Sequence, residues 1–192
     1  MCWVTKWGYM SKRRLLVKQV RSLFPGARRL PDLSWITSGM SVSGTLHPRH
    51  FEALREIGVR AVVDLRQEDR DNEELLGTFG IRLLHLPTPD HFAPTQEQLA
   101  TGSEWVAEQL SHGRSTLIHC REGIGRSVVL ACCVLTRQGH DLAYSLHLTR
   151  KRRWGTALSA PQLDAIEQFA TLHRASTPSR GLLEQVQAER LA

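Results

Sequence analysis

The chain has 192 residues, 41% of them hydrophobic, and carries 25 Lys and Arg against 19 Asp and Glu, a formal charge of +6. That length suits one domain with tails and is enough to bury a core. It holds no apolar run near the ~18 residues of a membrane span and no secretory signal core. Its four cysteines (Cys2, Cys120, Cys132, Cys133) form neither a disulfide framework nor a Cys-x2-Cys metal pattern. A cytoplasmic location is therefore expected, with no metal, no organic cofactor and no nucleic-acid partner.

Residues 1–30 read as a basic arm. Met1 to Pro31 hold eight Lys or Arg and no Asp or Glu, which exceeds the net charge of the whole chain. Leu15, Leu16, Val20 and Leu23 give the arm the pattern of a basic amphipathic helix, suited to an anionic membrane or an acidic partner. An arginine-rich, acid-poor start also matches a transit peptide. A solvated or packing arm is the favoured reading, because charge runs usually stay in water.

Residues 31–173 alternate strands and helices. Trp35-Ile36-Thr37 reads as a short first strand. A helix over His50–Ile57 closes at Gly58. Val59–Leu65 is a near-continuous apolar strand of the kind buried in parallel sheets. A short helix over Asn72–Phe79 precedes Gly80. Ile81–Leu86 alternates as a strand, which Pro87 and Pro89 should end. Thr95 begins a capping box, so a helix is expected over Gln96–Ser111. Ser115–Ile118 is a buried strand after a Gly113 turn. Ser127–Leu135 is a helix apolar on nearly all sides, ended by Gly139. Asp141 opens another helix, and Ser159–Gln162 the last, with Leu163, Ile166, Phe169 and Ala170 on one face. Residues 174–192 read as a polar tail. The pattern implies an α/β fold: a central, mostly parallel sheet with helices on both faces, its ligand site at the strands' carboxyl ends.

The nonapeptide His119-Cys120-Arg121-Glu122-Gly123-Ile124-Gly125-Arg126-Ser127 lies between the buried strand and the apolar helix. Backbone N–H groups at such a helix start converge on one centre, and the helix dipole favours an anion there. Gly123 and Gly125 let the backbone curl. Cys120 is expected to lose its proton easily in that field. Arg126 offers a planar fork for two phosphate oxygens. Ser127 is placed to hydrogen-bond the sulfur, and His119 to order the loop.

This loop resembles the signature His-Cys-x5-Arg-Ser/Thr of the cysteine-dependent protein tyrosine phosphatases. In that superfamily an aspartate on a mobile loop, roughly thirty residues earlier in small members, protonates the leaving oxygen. Here Asp90 lies 30 positions before Cys120, in Leu86-Pro87-Thr88-Pro89-Asp90-His91-Phe92-Ala93-Pro94. Read alone, Asp90 is equally an ordinary turn residue after proline. Pro31-Asp32-Leu33-Ser34-Trp35 and Arg60–Arg66 are similar to the opening segment and second strand of the small atypical dual-specificity phosphatases. Relatives often carry Arg-Pro-Gly where this chain has Arg153-Trp154-Gly155, so the shape of that connection is left open.

The resemblance implies a phosphomonoester hydrolase acting through a cysteinyl-phosphate. Cys120 is the nucleophile, Asp90 the acid and then the base. Arg121, Glu122, Gly123, Ile124, Gly125 and Arg126 hold the phosphate. Neither Tyr9 nor Tyr144 is placed to deepen the pocket. A shallow mouth is implied, open to phosphotyrosine, phosphoserine and phosphothreonine proteins. A phosphoinositide or other non-protein phosphate ester is the alternative. A redox role for Cys132 or Cys133 beside Cys120 also stays open.

Overall fold

The computed structural model describes residues 30–174. The basic arm and the polar tail lie outside the described residues. The strands are β1 (Leu33–Trp35), β2 (Met40–Ser43), β3 (Val59–Arg66), β4 (Arg82–Thr88) and β5 (Ser115–His119). The helices are α1 (Phe51–Glu56), α2 (Glu73–Thr78), α3 (Gln96–Ser111), α4 (Arg126–Arg137), α5 (Leu142–Arg152) and α6 (Ala160–Arg174). The strands form one five-stranded sheet in the order β1-β2-β5-β3-β4. Only β1 pairs antiparallel; β2, β5, β3 and β4 run parallel. This is the mostly parallel α/β sheet the sequence implies.

Alternation along the strands assigns the two faces. Leu117 and Val62 pack with Phe51, Leu54 and Leu76, beneath α1 and α2. Ile118, Val63 and Leu65 pack with Leu99, Val129, Ile166 and Phe169, beneath α3, α4 and α6. Each fully buried Leu, Ile or Phe contributes roughly 1.5–3 kcal/mol by leaving water. Helix α4 is buried from Arg126 to Thr136, because it lies on the sheet and is also covered by α3, α5 and α6. Its apolar circumference follows from that position.

The capping residues act as the sequence suggests. Asn72, Thr95 and Asp141 each accept a hydrogen bond from a first-turn backbone N–H. Three strand readings are corrected. The first strand is Leu33–Trp35, and Ile36 and Thr37 instead turn the chain, both donating to the Met40 carbonyl. Strand β2, Met40–Ser43, was not anticipated. Strand β4 runs through Pro87 to Thr88, because it is an edge strand and a proline there can turn its missing N–H outward.

Register aligns the strand ends that build the site. Asp64 of β3 lies opposite His119 of β5, and His119 lies opposite Ser43 of β2. The segments that follow β2, β3, β4 and β5 therefore emerge at one carboxyl edge.

Candidate active site at the carboxyl edge of the sheet

Cys120 follows β5 directly and is 3% exposed, at the floor of a cavity of about 360 Å³. The backbone N–H of Gly123 donates to its Sγ at 3.2 Å, and the Ser127 hydroxyl lies 3.4 Å away. Gly123 has φ +71, and a Cβ there would sit 2.4 Å from the Ser43 backbone. Only glycine fits that close approach.

Four successive loop carbonyls, from Arg121 to Ile124, have partners outside the loop. Arg121 O accepts from the Thr45 N–H and hydroxyl. Glu122 O and Gly123 O accept from Arg153, and Ile124 O accepts from the Ala157 N–H. A peptide's N–H points opposite to its C=O. Holding the carbonyls outward thus turns the following N–H groups toward the Cys120 side, where the start of α4 adds its dipole. The result is a cradle for a tetrahedral anion.

Arg126 is 2% exposed and spans the cradle's other wall. Its Nη1 donates to Thr88 O at 2.7 Å and to Glu68 Oε2 at 2.9 Å. Its Nη2 donates to Glu68 Oε1 at 2.8 Å and Asp90 Oδ1 at 2.9 Å. Burial works against the Arg126 charge, but Glu68, Cys120 and Asp90 outweigh it and raise its pKa further. Chiefly through the Arg126 hydrogen bonds, Glu68 is held down at about 2. Asp90 reaches the same guanidinium from the loop after β4, and lies 3.6 Å from Arg121 Nη1. The expected nucleophile, acid and arginine therefore meet in one place.

Behind the loop, His119 Nε2 lies 2.9 Å from Asp71 Oδ2 and 3.6 Å from Asp64 Oδ1. Asp64, Asp71 and His119 offer three possible metal ligands within 4.8 Å of one another. A cation already serves them: Arg66 donates to Asp64 at 2.8 and 2.9 Å and to Asp71 at 2.7 Å. Burial pushes the Asp64 pKa up, yet the Arg66 bonds and nearby His119 bring it below its ordinary value. The cluster braces His119 and does not fit a metal well.

Of the residues singled out in the sequence, Asp90, Cys120, Glu122, Ile124, Gly125 and Arg126 line the cavity, Gly123 and Ser127 contact the Cys120 sulfur, and His119 and Arg121 flank Cys120 in the chain. The Arg121 side chain is 62% exposed and is not among the residues that line the cavity. Three residues were missed. Glu68 sits in a charged run that reads as solvated loop. Arg153 follows Arg150-Lys151-Arg152, a run with the composition of a solvated basic helix end, but it is buried against the loop. Gln162, 3% exposed, lines the cavity beside Gly125, and its Nε2 donates to Phe92 O on the Asp90 loop. Trp154, in the Arg153-Trp154-Gly155 connection, is 54% exposed, and Gly155 has φ +79.

A family model described as a polymorphic toxin system DSP-PTPase phosphatase matches residues 38–140. This chain belongs to that phosphatase family. Among curated relatives, the phosphatase is similar to phosphatidylglycerophosphate phosphatase PTPMT1 of Arabidopsis thaliana. The two are 30% identical over 128 residues, 64% of this chain and 37% of the relative. A second Arabidopsis thaliana relative, phosphatidylglycerophosphate phosphatase PTPMT2, is 26% identical over 62% of this chain and 54% of its own length. The chain thus spans about a third to a half of those relatives. The solved active form of Tk-PTP is 27% identical with TM-score 0.68, covering 73% of this chain and 97% of that one. Human DUSP28, at 16% identity and TM-score 0.67, shares the fold over 75% of this phosphatase and 96% of its own chain. The family model and the Tk-PTP likeness place the chain in the cysteine-dependent phosphatase superfamily, on its dual-specificity side.

Proposed function

We propose that this phosphatase hydrolyses phosphomonoesters through a cysteinyl-phosphate on Cys120. The observation that carries the reading is the convergence of Cys120 Sγ, Arg126, Asp90 and the outward-held loop carbonyls on one open cavity. The Cys120 thiolate attacks phosphorus, the bond to the leaving oxygen breaks, and Asp90 gives that oxygen its proton. Arg126 and the loop N–H groups hold the equatorial oxygens. Bound phosphate takes the Arg126 Nη2 hydrogen that Asp90 accepts in the free enzyme, which releases Asp90 toward the leaving group. Water then attacks the cysteinyl-phosphate while Asp90 removes its proton, and inorganic phosphate and the thiolate are regenerated. Ser127 steadies the departing sulfur.

Among the described residues, no Phe, Tyr or Trp lines the cavity; Ile124, Ala157 and Leu158 do. Nothing there clamps a flat phenol ring, which supports dual specificity toward phosphotyrosine and phosphoserine or phosphothreonine. A second reading, a glycerophospholipid phosphate ester, is favoured by the two plant relatives and by exposed Arg121 and Phe92. The test is turnover by purified protein on phosphotyrosine and phosphothreonine peptides, phosphatidylglycerophosphate and a phosphoinositide, with Cys120→Ser beside it. Peptide turnover lost in Cys120→Ser supports the first reading. Turnover confined to lipids supports the second, and activity surviving in Cys120→Ser defeats the mechanism.

A further inference from the structure

Arg153 stands at the end of α5, outside the signature loop, yet its guanidinium is buried beneath that loop. Its Nε donates to Gly123 O at 2.8 Å and its Nη2 to Glu122 O at 3.3 Å. Further contacts reach back to the start of the fold. Nη1 donates to Asp32 O at 2.8 Å and Ser34 Oγ at 3.3 Å, and Nη2 donates to Asp32 Oδ2 at 3.1 Å. One rigid fork thus joins β1 and its lead-in to two successive peptides of the loop.

The direction of those two peptides matters. The peptide whose carbonyl belongs to Glu122 carries the N–H of Gly123, which donates to Cys120 Sγ at 3.2 Å. The next peptide, with the Gly123 carbonyl, carries the N–H of Ile124, a residue that lines the cavity. A guanidinium on the carbonyl side holds both N–H groups facing the other way, toward the sulfur and the anion. Without it, the Glu122 and Gly123 carbonyls lose a buried, charge-assisted donor that fixes the direction of these two peptides.

We propose that Arg153 is a positioning residue: from behind the loop it fixes the Glu122–Gly123 and Gly123–Ile124 peptides in the orientation that serves Cys120 and the phosphate. This inference rests on the reading of the loop as the phosphate site. Arg153 touches neither substrate nor the reacting atoms and acts through the two peptides. Arg126→Ala would remove a phosphate ligand, whereas loss of Arg153 misdirects backbone donors that remain present. Lysine is a poor substitute, since a point charge on a flexible stem cannot span two carbonyls with a fixed fork.

The experiment compares the unaltered protein with Arg153→Met and Arg153→Lys. Each is checked for folding by thermal melt, then assayed for turnover of a phenyl phosphate and for iodoacetate alkylation of Cys120 at pH 6, with and without inorganic phosphate. Removing one backbone-type donor to a developing anion typically costs about 10²–10³ in kcat. Misorienting two that remain nearby should cost about tenfold to hundredfold. In Arg153→Met, alkylation should slow and phosphate protection should weaken. Arg153→Lys should fall between the two. It decides the matter if Arg153→Met does not fold. A folded variant with unaltered alkylation, protection and kcat overturns the inference. Failure of phosphate to protect Cys120 in the unaltered protein overturns instead the reading on which it rests.

Discussion

Glu68 accepts from both terminal nitrogens of Arg126, at 2.8 and 2.9 Å, so the guanidinium is oriented before any phosphate arrives. Arg126 is a buried cation, and a buried cation without a hydrogen-bonded partner is costly. Glu68 keeps it in place and leaves the edge facing the cavity to Asp90.

Glu68→Gln should therefore lower kcat/KM about tenfold, because a single neutral acceptor cannot hold both nitrogens. Removing a negative charge would by itself attract phosphate more strongly. That gain is small, since Glu68 is one-third exposed and screened. Steady-state kinetics with a phenyl phosphate decides it: an unchanged or raised kcat/KM would mean that Arg126 needs no such partner.

His50 gives the fold a pH dependence. Burial first, then the charges of Arg49 and His47, lower its pKa from 6.5 to about 4. The His47 backbone N–H donates to His50 Nδ1 at 3.2 Å, a bond that protonation would break. The unfolded chain takes up that proton more readily, so the contribution is fully present above pH 6.5 and is lost as pH falls through about 4. It amounts to roughly 2–3 kcal/mol. Urea unfolding from pH 7 to pH 4 should show this loss, and His50→Gln should flatten it; an equal slope in the variant would assign it elsewhere.

Why was so much of the site legible, and Glu68 not? Cys120 and Arg126 lie on one loop, and their geometry is set locally by glycines and a helix start. Asp90 needed the family's spacing as well, since an aspartate after proline is an ordinary turn residue. Glu68 and Arg126 lie 58 positions apart and meet because β3 and β5 are sheet neighbours. Gln67-Glu68-Asp69-Arg70-Asp71 has the composition of any solvated loop. Arg153 was hidden in the same manner, as the last of four basic residues of which the three before it end α5. Strand β2 has an alternating Met-Ser-Val-Ser pattern, but four residues with small serines between glycines carry little weight until β5 pairs with them. Long-range pairing, in each case, supplied what local pattern could not.

Gly123→Ala should be close to inactive. The new Cβ would meet the Ser43 backbone at 2.4 Å, and alanine would be held at φ +71. Neither the strand nor the loop can move without displacing the N–H that serves Cys120. Activity above a tenth of the unaltered level would mean that the loop adapts.

Asp90→Asn separates acid catalysis from binding. A leaving group of low basicity departs unaided, while a phenyl or alkyl oxygen needs a proton, an effect typically worth about 10²–10⁴-fold. The variant should slow an alkyl phosphate far more than an activated aryl ester. Asp90 also accepts from Arg126, so some loss common to both substrates is expected. Equal slowing would leave Asp90 as an Arg126 partner alone.

The thiols can be ranked by environment. Cys132 and Cys133 lie inside α4 with no solvent exposure. Burial pushes Cys132 up to about 11 and Cys133 well above the ordinary thiol range. Both should stay protonated and unreachable at neutral pH, which argues against either resolving an oxidised Cys120. Cys120 lies at the cavity floor, with an N–H aimed at its sulfur and Arg126 nearby. Iodoacetate at pH 6 should therefore label Cys120 at least tenfold faster than Cys132 or Cys133. Phosphate or vanadate should slow that labelling by filling the same cradle. Mass spectrometry of the alkylated peptides reads all three sites in one digest. Equal labelling would mean that the cradle does not activate the thiol, and labelling indifferent to phosphate would mean that the anion does not sit over it.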